Sequence, residues 1–353
     1  MSDKKDIRSF TYDEVCAALT ALGEKKFRAG QVFDWLHGKK TDDFSSMTNL
    51  SKELREKLGE HFALYTVKPV KVLSSATDGT KKYLHELYDG NIIETVLLRY
   101  DYGNTVCISS QVGCRMGCRF CASTIGGLIR GLSAGEMAGQ IYSVEHDIKE
   151  RVSHVVVMGS GEPLDNLEEF EHFYEIVTDE RGCNLSGRNI TASTCGIVPK
   201  MKELADKKYA MTLALSLHAV TDEKRRQIMP VAVQYALSDV IDACRYYFDV
   251  TGRRITLEYS LIKGFNDLDE DISRLCDIAG ELKAHVNLIP VNPIEERDFA
   301  ATGRKAVLAL KNKLEKNNIN VTIRREMGRD IQGACGQLRR SFIYSSVLGE
   351  HDA

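Results

Sequence analysis

Residues 113–121 read GCRMGCRFC and place Cys114, Cys118 and Cys121 in the spacing C-x3-C-x2-C. Three thiolates this close on one loop can each bind a different iron of a cubane cluster and leave the fourth iron open. A structural zinc site normally has four protein ligands, and no further Cys or His follows at zinc-finger spacing. We therefore favour a [4Fe-4S] cluster over the two alternatives, a zinc site or buried unreactive cysteines.

The chain around this loop has the pattern of repeated βα units. From residue 104 onward, apolar strand-like runs alternate with amphipathic helical stretches. We predict strands at 105–109, 154–158, 189–193, 211–216, 254–259, 285–289 and 318–323, and helices that include 134–146, 237–248 and 268–282. This order predicts an α/β fold with a parallel sheet, open or curled into a full or partial barrel, and functional residues at the carboxyl ends of the strands.

Two further regions precede the βα units. Residues 10–64 have short helical patterns and predict a small helical domain, whereas residues 66–100 alternate like strands with turn signals at Asp78-Gly79 and Asp89-Gly90. Within the helical region, residues 23–40 are rich in Lys and Arg with interleaved aromatic residues. A solvated basic face and a contact with an RNA backbone both explain that stretch.

Composition restricts the classes of function. Among 353 residues, 47 Lys and Arg against 50 Asp and Glu give a net charge of −3, which excludes nucleic-acid binding by bulk positive charge. The chain has no apolar run of the length that crosses a membrane and starts without a secretory signal, so we expect a cytoplasmic protein without a membrane partner. The ten cysteines should then stay reduced, which favours metal ligation and thiol chemistry over a disulfide framework.

The predicted strand at 154–158 runs into GSGEP at residues 159–163, which include Gly161 and Glu162. Together with the cysteine loop, this stretch resembles the radical S-adenosylmethionine superfamily. In that superfamily the open iron is chelated by the amino and carboxyl groups of S-adenosylmethionine, and the reduced cluster cleaves it to a 5′-deoxyadenosyl radical. The resemblance implies that Gly161 and Glu162 lie in the loop that receives the amino group of the cofactor.

Three more segments narrow the resemblance: SSQVGC at 109–114, SLH at 216–218 and ACGQL at 334–338. They are similar to the RlmN-type RNA adenine C2-methyltransferases, and the similarity runs nearly from end to end. It implies a partial (β/α)6 radical SAM barrel at 101–323 after a helical RNA-binding accessory domain at 1–65 and a β connector at 66–100. A carboxyl-terminal segment, 324–353, would bring Cys335 over the barrel mouth.

The resemblance also implies roles for three residues. Adenine C2 is an electron-poor carbon, so direct polar methyl transfer is unreasonable and a radical route is needed. Cys335 would first receive the methyl group from one S-adenosylmethionine, and a second molecule would supply the radical that activates it. Glu94 would accept the C2 proton, and Cys107 would resolve the protein–RNA adduct by forming a disulfide with Cys335. An external electron donor and a disulfide reductant are therefore implied.

Other residues match the family's contacts to S-adenosylmethionine. They follow predicted strands, where barrel ligands bind, and comprise Ser193, Ser216, Leu217, His218 and Asn292 in addition to the Gly-Glu pair. Cys195 stands where the family pattern has Ser, so that side chain is not required for binding.

The implied partners are 23S ribosomal RNA, at an adenosine of the peptidyl-transferase region, and transfer RNA, at the adenosine 3′ of the anticodon. We expect the chain to act as a monomer. Between residues 107 and 130 there are three arginines, Arg115, Arg119 and Arg130, and no acidic residue, which predicts a positive rim for RNA phosphates. The alternatives are a Cfr-type C8-methylation of the same ribosomal base and a non-catalytic, metal-stabilised RNA-binding protein.

Overall fold

The computed structural model describes residues 4–291, 299–325 and 327–331. The α-helices of these residues are α1 (Tyr12–Ala21), α2 (Phe27–Phe33), α3 (Lys52–His61), α4 (Ala134–Ile148), α5 (Leu167–Thr178), α6 (Val198–Asp206), α7 (Asp222–Ile228), α8 (Leu237–Thr251), α9 (Asp269–Glu281) and α10 (Arg304–Lys316). The strands are β1 (Lys68–Ser74), β2 (Lys81–Glu86), β3 (Ile92–Tyr100), β4 (Gly103–Ile108), β5 (Gln111–Gly113), β6 (Leu128–Gly131), β7 (Val152–Val157), β8 (Ile190–Thr194), β9 (Thr212–Ser216), β10 (Thr256–Leu261), β11 (His285–Pro290) and β12 (Asn320–Ile323).

The amino-terminal helices form a small unit with its own apolar core. Thr11 begins α1 with a capping box, in which its side chain accepts from the Glu14 amide and the Glu14 carboxylate accepts from the Thr11 amide. Ser51 caps α3 by accepting from the Leu54 amide. The apolar faces of these helices pack together around a cluster that includes Val15, Leu19, Val32, Phe33, Leu36, Leu54 and Leu58.

One ten-stranded sheet organises the rest of the described chain, in the order β1-β2-β3-β4-β7-β8-β9-β10-β11-β12. β1 to β4 pair antiparallel, and every later neighbour pair, from β4–β7 to β11–β12, is parallel. Apolar side chains of the parallel strands pack under the helices in one large core. The predicted α/β fold with six βα units and a closing strand is thus confirmed. The connector consists of strands, as predicted, and the structure shows that they pair antiparallel.

Helix α4 packs between the ten-stranded sheet and the amino-terminal unit. Its residues from Ala134 to Val144 are all buried, because the helix has neighbours on both sides. Gly135 and Gly139 allow the close approach: a Cβ at Gly135 would lie 2.8 Å from the Ser9 hydroxyl, and one at Gly139 would lie 2.7 Å from Val67. On the same boundary, the His37 ring and the Tyr142 hydroxyl are hydrogen-bonded at 2.8 Å.

The alternation of side chains defines an inner face of the sheet, the face directed away from the helices. On β8 and β9, Ala192 and Leu215 belong to the helix-covered core, so the neighbouring residues Ser193 and Ser216 lie on the inner face. Within the described residues, no helix is both long enough and apolar enough to cross a bilayer.

Candidate functional site

The cysteine loop connects the two strands of a short hairpin that the sequence patterns did not predict. β5 and β6 pair antiparallel, and the Cys114 amide donates to the Gly127 carbonyl at 3.0 Å. Gly113 has φ +77°, and a Cβ there would lie 2.0 Å from the same carbonyl oxygen, so only glycine fits. The hairpin therefore fixes where the first cysteine leaves the sheet.

We call Cys114, Cys118 and Cys121 the cluster cysteines; they share one loop but differ in exposure. Cys114 and Cys118 are buried and Cys121 is half-buried. Burial raises the pKa of Cys114 to about 12 and also raises the pKa of Cys118, and the charge of the neighbouring cysteines adds to both effects. The thiols thus lie near enough to repel one another as thiolates, and iron would compensate for that repulsion.

The donor set fits an iron–sulfur cluster better than a single ion. A single metal ion needs its ligands around one point, and within the described ranges no three His, Cys, Asp or Glu side chains are gathered in that way. A cubane cluster has no such need, because each thiolate binds its own iron. The Thr124 hydroxyl stabilises the loop, because it donates to the carbonyls of Cys118 and Cys121 at 3.1 and 2.9 Å.

The Gly-Glu-Pro loop follows β7 and lies against the chain just before the cluster cysteines. The Ser160 carbonyl accepts from the amides of Ser110 and Gln111, at 2.9 and 3.1 Å. Gly161 has φ +112°, and a Cβ would lie 2.6 Å from the Ser110 hydroxyl and 2.7 Å from the Gln111 amide nitrogen. This close approach explains the glycine.

Glu162 uses its carboxylate within the protein. Its two oxygens accept from the Cys195 amide at 2.7 Å and the Leu164 amide at 3.2 Å, and its side chain is only 4% exposed. Burial raises the pKa of Glu162, and these amide donors oppose the rise. The carboxylate therefore connects the loop after β7 to the end of β8.

The residues predicted on β8 and β9 come together. The hydroxyls of Ser193 and Ser216 lie 3.1 Å apart. His218 has φ +53°, its Nδ1 accepts from the Ser260 amide at 3.0 Å, and its ring stands edge-on to Phe120 with centroids 4.6 Å apart. Burial lowers the pKa of His218 to about 3, so the ring is neutral and positions this turn through its hydrogen bond.

Glu94 and Cys107 also lie on the inner face. Their neighbours Thr95 and Val106 face the helices: Thr95 bonds Gln140 of α4, and Val106 belongs to the main core. Cys107 stands opposite Val96 in the β3–β4 register, one inner-face position from Glu94. The two side chains are therefore diagonal neighbours, with exposures of 5% for Cys107 and 6% for Glu94.

A lysine that the sequence reasoning missed accompanies them. Lys82 stands opposite Val96 on β2, is fully buried, and forms an ion pair with Glu94 at 3.3 Å. Glu258 on β10 is a second missed residue of the inner face; it is 5% exposed and accepts from Asn287 at 3.0 Å. The period-2 alternation in both strands contained this signal, because each charged residue alternates with core positions.

Two predicted residues, Cys335 and Asn292, lie outside the described residues.

The predicted positive rim needs correction, because acidic residues from elsewhere in the chain pair with two of its arginines. Arg115 pairs with Asp165, and Arg130 pairs with both Asp89 and Glu136. Local sequence could not reveal these partners, which the fold brings in from more distant positions.

Comparison with known proteins agrees with this geometry. Residues 5–64 match the family described as the ribosomal RNA large subunit methyltransferase N-terminal domain, and residues 108–276 match the radical SAM superfamily. A probable dual-specificity RNA methyltransferase RlmN from Lachnospira eligens is 57% identical over 338 residues, 96% of this chain and 97% of that relative. A protein of the same name from Lachnoclostridium phytofermentans is 53% identical over 350 residues, 99% of this chain and 98% of that relative.

A solved structure supports the same assignment over nearly the whole fold. The crystal structure of a radical SAM methyltransferase from Sphaerobacter thermophilus matches with a TM-score of 0.89 and 38% identity, covering 94% of this chain and 98% of the other. The predicted family, the fold and the class of enzyme are confirmed, and the superfamily implies S-adenosylmethionine and an iron–sulfur cluster as cofactors. The chain therefore belongs to the RlmN family of radical S-adenosylmethionine methyltransferases.

Proposed function

We propose that this enzyme methylates C2 of adenosine in RNA through an S-methylcysteine intermediate on Cys335. The proposed substrates are the peptidyl-transferase region of 23S ribosomal RNA and the adenosine 3′ of the anticodon in transfer RNA. The observation that carries the proposal is the placement of Glu94 and Cys107 as buried diagonal neighbours on the inner face. A base and a thiol held together in this way suit the removal of a proton and the release of a covalent adduct.

The proposed cofactors are a [4Fe-4S] cluster on the cluster cysteines and two molecules of S-adenosylmethionine per turnover. When bound, they supply a methyl group and the carbon radical that activates it. The loops with Gly161 and Glu162, and with Ser216, Leu217 and His218, would hold S-adenosylmethionine, together with Ser193 and Asn292. The hydrogen bond between Ser193 and Ser216 at 3.1 Å supports a shared binding surface at the ends of β8 and β9.

The residues of the chain would then act in sequence. Cys335 carries the methyl group to the base, and Glu94 accepts the proton from C2. Cys107 would attack the Cys335 sulfur as a thiolate, so that a disulfide forms while the carbon–sulfur bond to the product breaks. The released carbon would take up a proton to complete the methyl group, and the unpaired electron of the adduct would return to the iron–sulfur cluster. A one-electron donor must therefore reduce the cluster before the reaction starts, and a dithiol reductant must reopen the disulfide after each turnover. We place this reaction in the cytoplasm, where thiols stay reduced.

Side chains of the amino-terminal unit support an RNA contact. Lys25 and Lys26 are exposed, and the Arg28 guanidinium lies 4.9 Å from the centroid of the Phe27 ring, which is 58% exposed. The Lys39 ammonium lies 3.9 Å from the Trp35 ring. Such pairs offer cationic groups for phosphates and aromatic faces for unstacked bases.

The test is mass spectrometry of nucleosides from 23S ribosomal RNA and transfer RNA, taken from cells with and without the gene. We expect 2-methyladenosine in both RNAs, lost on deletion and restored by the gene. 8-Methyladenosine in its place would establish the C8 reaction. Identical nucleosides with and without the gene, from RNAs that the purified protein nevertheless binds, would favour the non-catalytic RNA-binding protein.

A further inference from the structure

Arg225 of α7 is a fully buried cation beneath the cofactor loops. Its side chain is 0% exposed, and its Nη2 atom donates to the carbonyls of Cys195 at 2.6 Å and Ser216 at 3.5 Å. Its Nε atom donates to the Leu217 carbonyl at 3.4 Å. The guanidinium thus connects the loop after β8 with the loop after β9.

The positive charge of Arg225 lacks a carboxylate partner. Among the described residues, no Asp or Glu oxygen lies within ion-pair distance of it, and its buried Nη1 atom has no hydrogen-bond partner. Arginine does not lose its proton inside proteins, so the charge stays. A buried charge without a counter-charge destabilises the folded protein. An anion near the Arg225 guanidinium would therefore stabilise the folded protein.

The cluster loop packs against the end of α7, the helix that carries Arg225. The Arg119 amide donates to the Ile228 carbonyl at the end of α7, at 2.9 Å. Cys118 packs in one apolar cluster with Cys195 and Ile228. Arg225 donates to the carbonyl of that same Cys195, so the guanidinium lies beside the apolar cluster that contains Cys118.

We propose that Arg225 is a positioning residue that acts as the buried counter-charge of the iron–sulfur cluster and favours its reduced state. A cluster held by thiolates carries net negative charge and gains one more electron on reduction, so a fixed cation nearby stabilises the reduced form more than the oxidised form. The inference rests on the proposed cluster site but not on the RNA chemistry.

The test is an anaerobic dithionite titration of the reconstituted holoenzyme without RNA, with the reduced cluster followed by electron paramagnetic resonance. For Arg225→Met we expect an oxidised-to-reduced ratio about ten-fold higher than wild type at a fixed potential, a shift of about 59 mV for one electron. Arg225→Lys should restore the wild-type ratio to within about three-fold, because the charge returns. Arg226→Met removes a half-exposed arginine of the same helix and should leave the ratio unchanged.

A second variant leaves Arg225 in place in case Arg225→Met does not bind the cluster. Cys244 is fully buried on α8, within electrostatic reach of Arg225. Cys244→Asp would give the guanidinium an internal carboxylate and should raise the oxidised-to-reduced ratio as Arg225→Met does, whereas Cys244→Asn should not.

An unchanged ratio in a cluster-loaded Arg225→Met or Cys244→Asp variant would make Arg225 a structural anchor only and overturn the inference. A shift seen only after S-adenosylmethionine is added would assign the anion to the cofactor carboxylate and overturn it as well. A wild-type protein without a cluster would instead refute the cluster proposal itself.

Discussion

Replacing Lys82 by Met is predicted to destabilise the protein by about 3–5 kcal/mol, because it leaves the Glu94 carboxylate buried without its ion-pair partner. The two groups lie 3.3 Å apart with side-chain exposures of 0% and 6%. Replacing Glu94 by Gln should cost a similar amount, since the lysine is then the buried charge. The double variant Lys82→Met/Glu94→Gln should cost much less than the two single losses added together, because no charge stays buried.

The assay is equilibrium unfolding in urea for the four proteins of this double-mutant cycle. The matched control is the cycle for Lys200 and Glu203, an ion pair at 2.6 Å with exposures of 43% and 49%. Because exposed pairs contribute about 0–1 kcal/mol, the control pair should show weak coupling despite its shorter distance. Coupling between Lys82 and Glu94 no stronger than in the control would refute the argument that burial sets the energy of this pair.

Three further predictions follow from the site and its supports. Gly161→Ala should weaken S-adenosylmethionine binding at least ten-fold in equilibrium dialysis, because backbone strain of about 1–3 kcal/mol adds to the overlap of the new Cβ with Ser110. The control is Gly90→Ala, at φ +79° with no atom within 4 Å of its Cβ, which should leave binding unchanged. Replacing any cluster cysteine by Ala should abolish iron binding and 5′-deoxyadenosine formation, and full activity in such a variant would disprove the ligand assignment. Burial lowers the pKa of His85 to about 3, so the ring stays neutral in the folded protein, whereas in the unfolded chain it takes up a proton below about pH 6.5. Lowering the pH from 7 to 5.5 should therefore reduce the unfolding free energy of wild type by about 1 kcal/mol more than that of His85→Gln. Equal losses in the two proteins would contradict the neutral ring.

The parallel strands were predictable from sequence because apolar residues occupy their core-facing positions. Val155 and Val157 of β7 lie in the helix-covered core, and runs of such residues identify buried strands from sequence alone. The hairpin of β5 and β6 escaped prediction because both strands are short and contain glycine. Its pairing across the cysteine loop is set by tertiary structure.

The candidate site was predictable in its motifs but not in its charges. Glu162 was predicted as a cofactor contact, and the structure shows its carboxylate accepting from the Cys195 amide, a partner 33 residues away. Arg130, predicted for an RNA rim, is paired with Asp89 and Glu136. Arg225 lies in a segment without any local motif, and only the fold reveals its burial. Long-range partners determine these charges, and a single sequence does not contain the distances.

The most direct test of the proposed reaction is the fate of RNA in Cys107→Ala. The variant is incubated anaerobically with substrate RNA, S-adenosylmethionine and a reductant, and the products are separated on a denaturing gel. We predict a slow, nuclease-sensitive band in which adenosine is attached to Cys335, because the adduct forms but the resolving thiol is missing. Cys244→Ala, which removes a cysteine buried in the main core, should turn over without this band. Free RNA and normal turnover in Cys107→Ala would contradict the proposed mechanism.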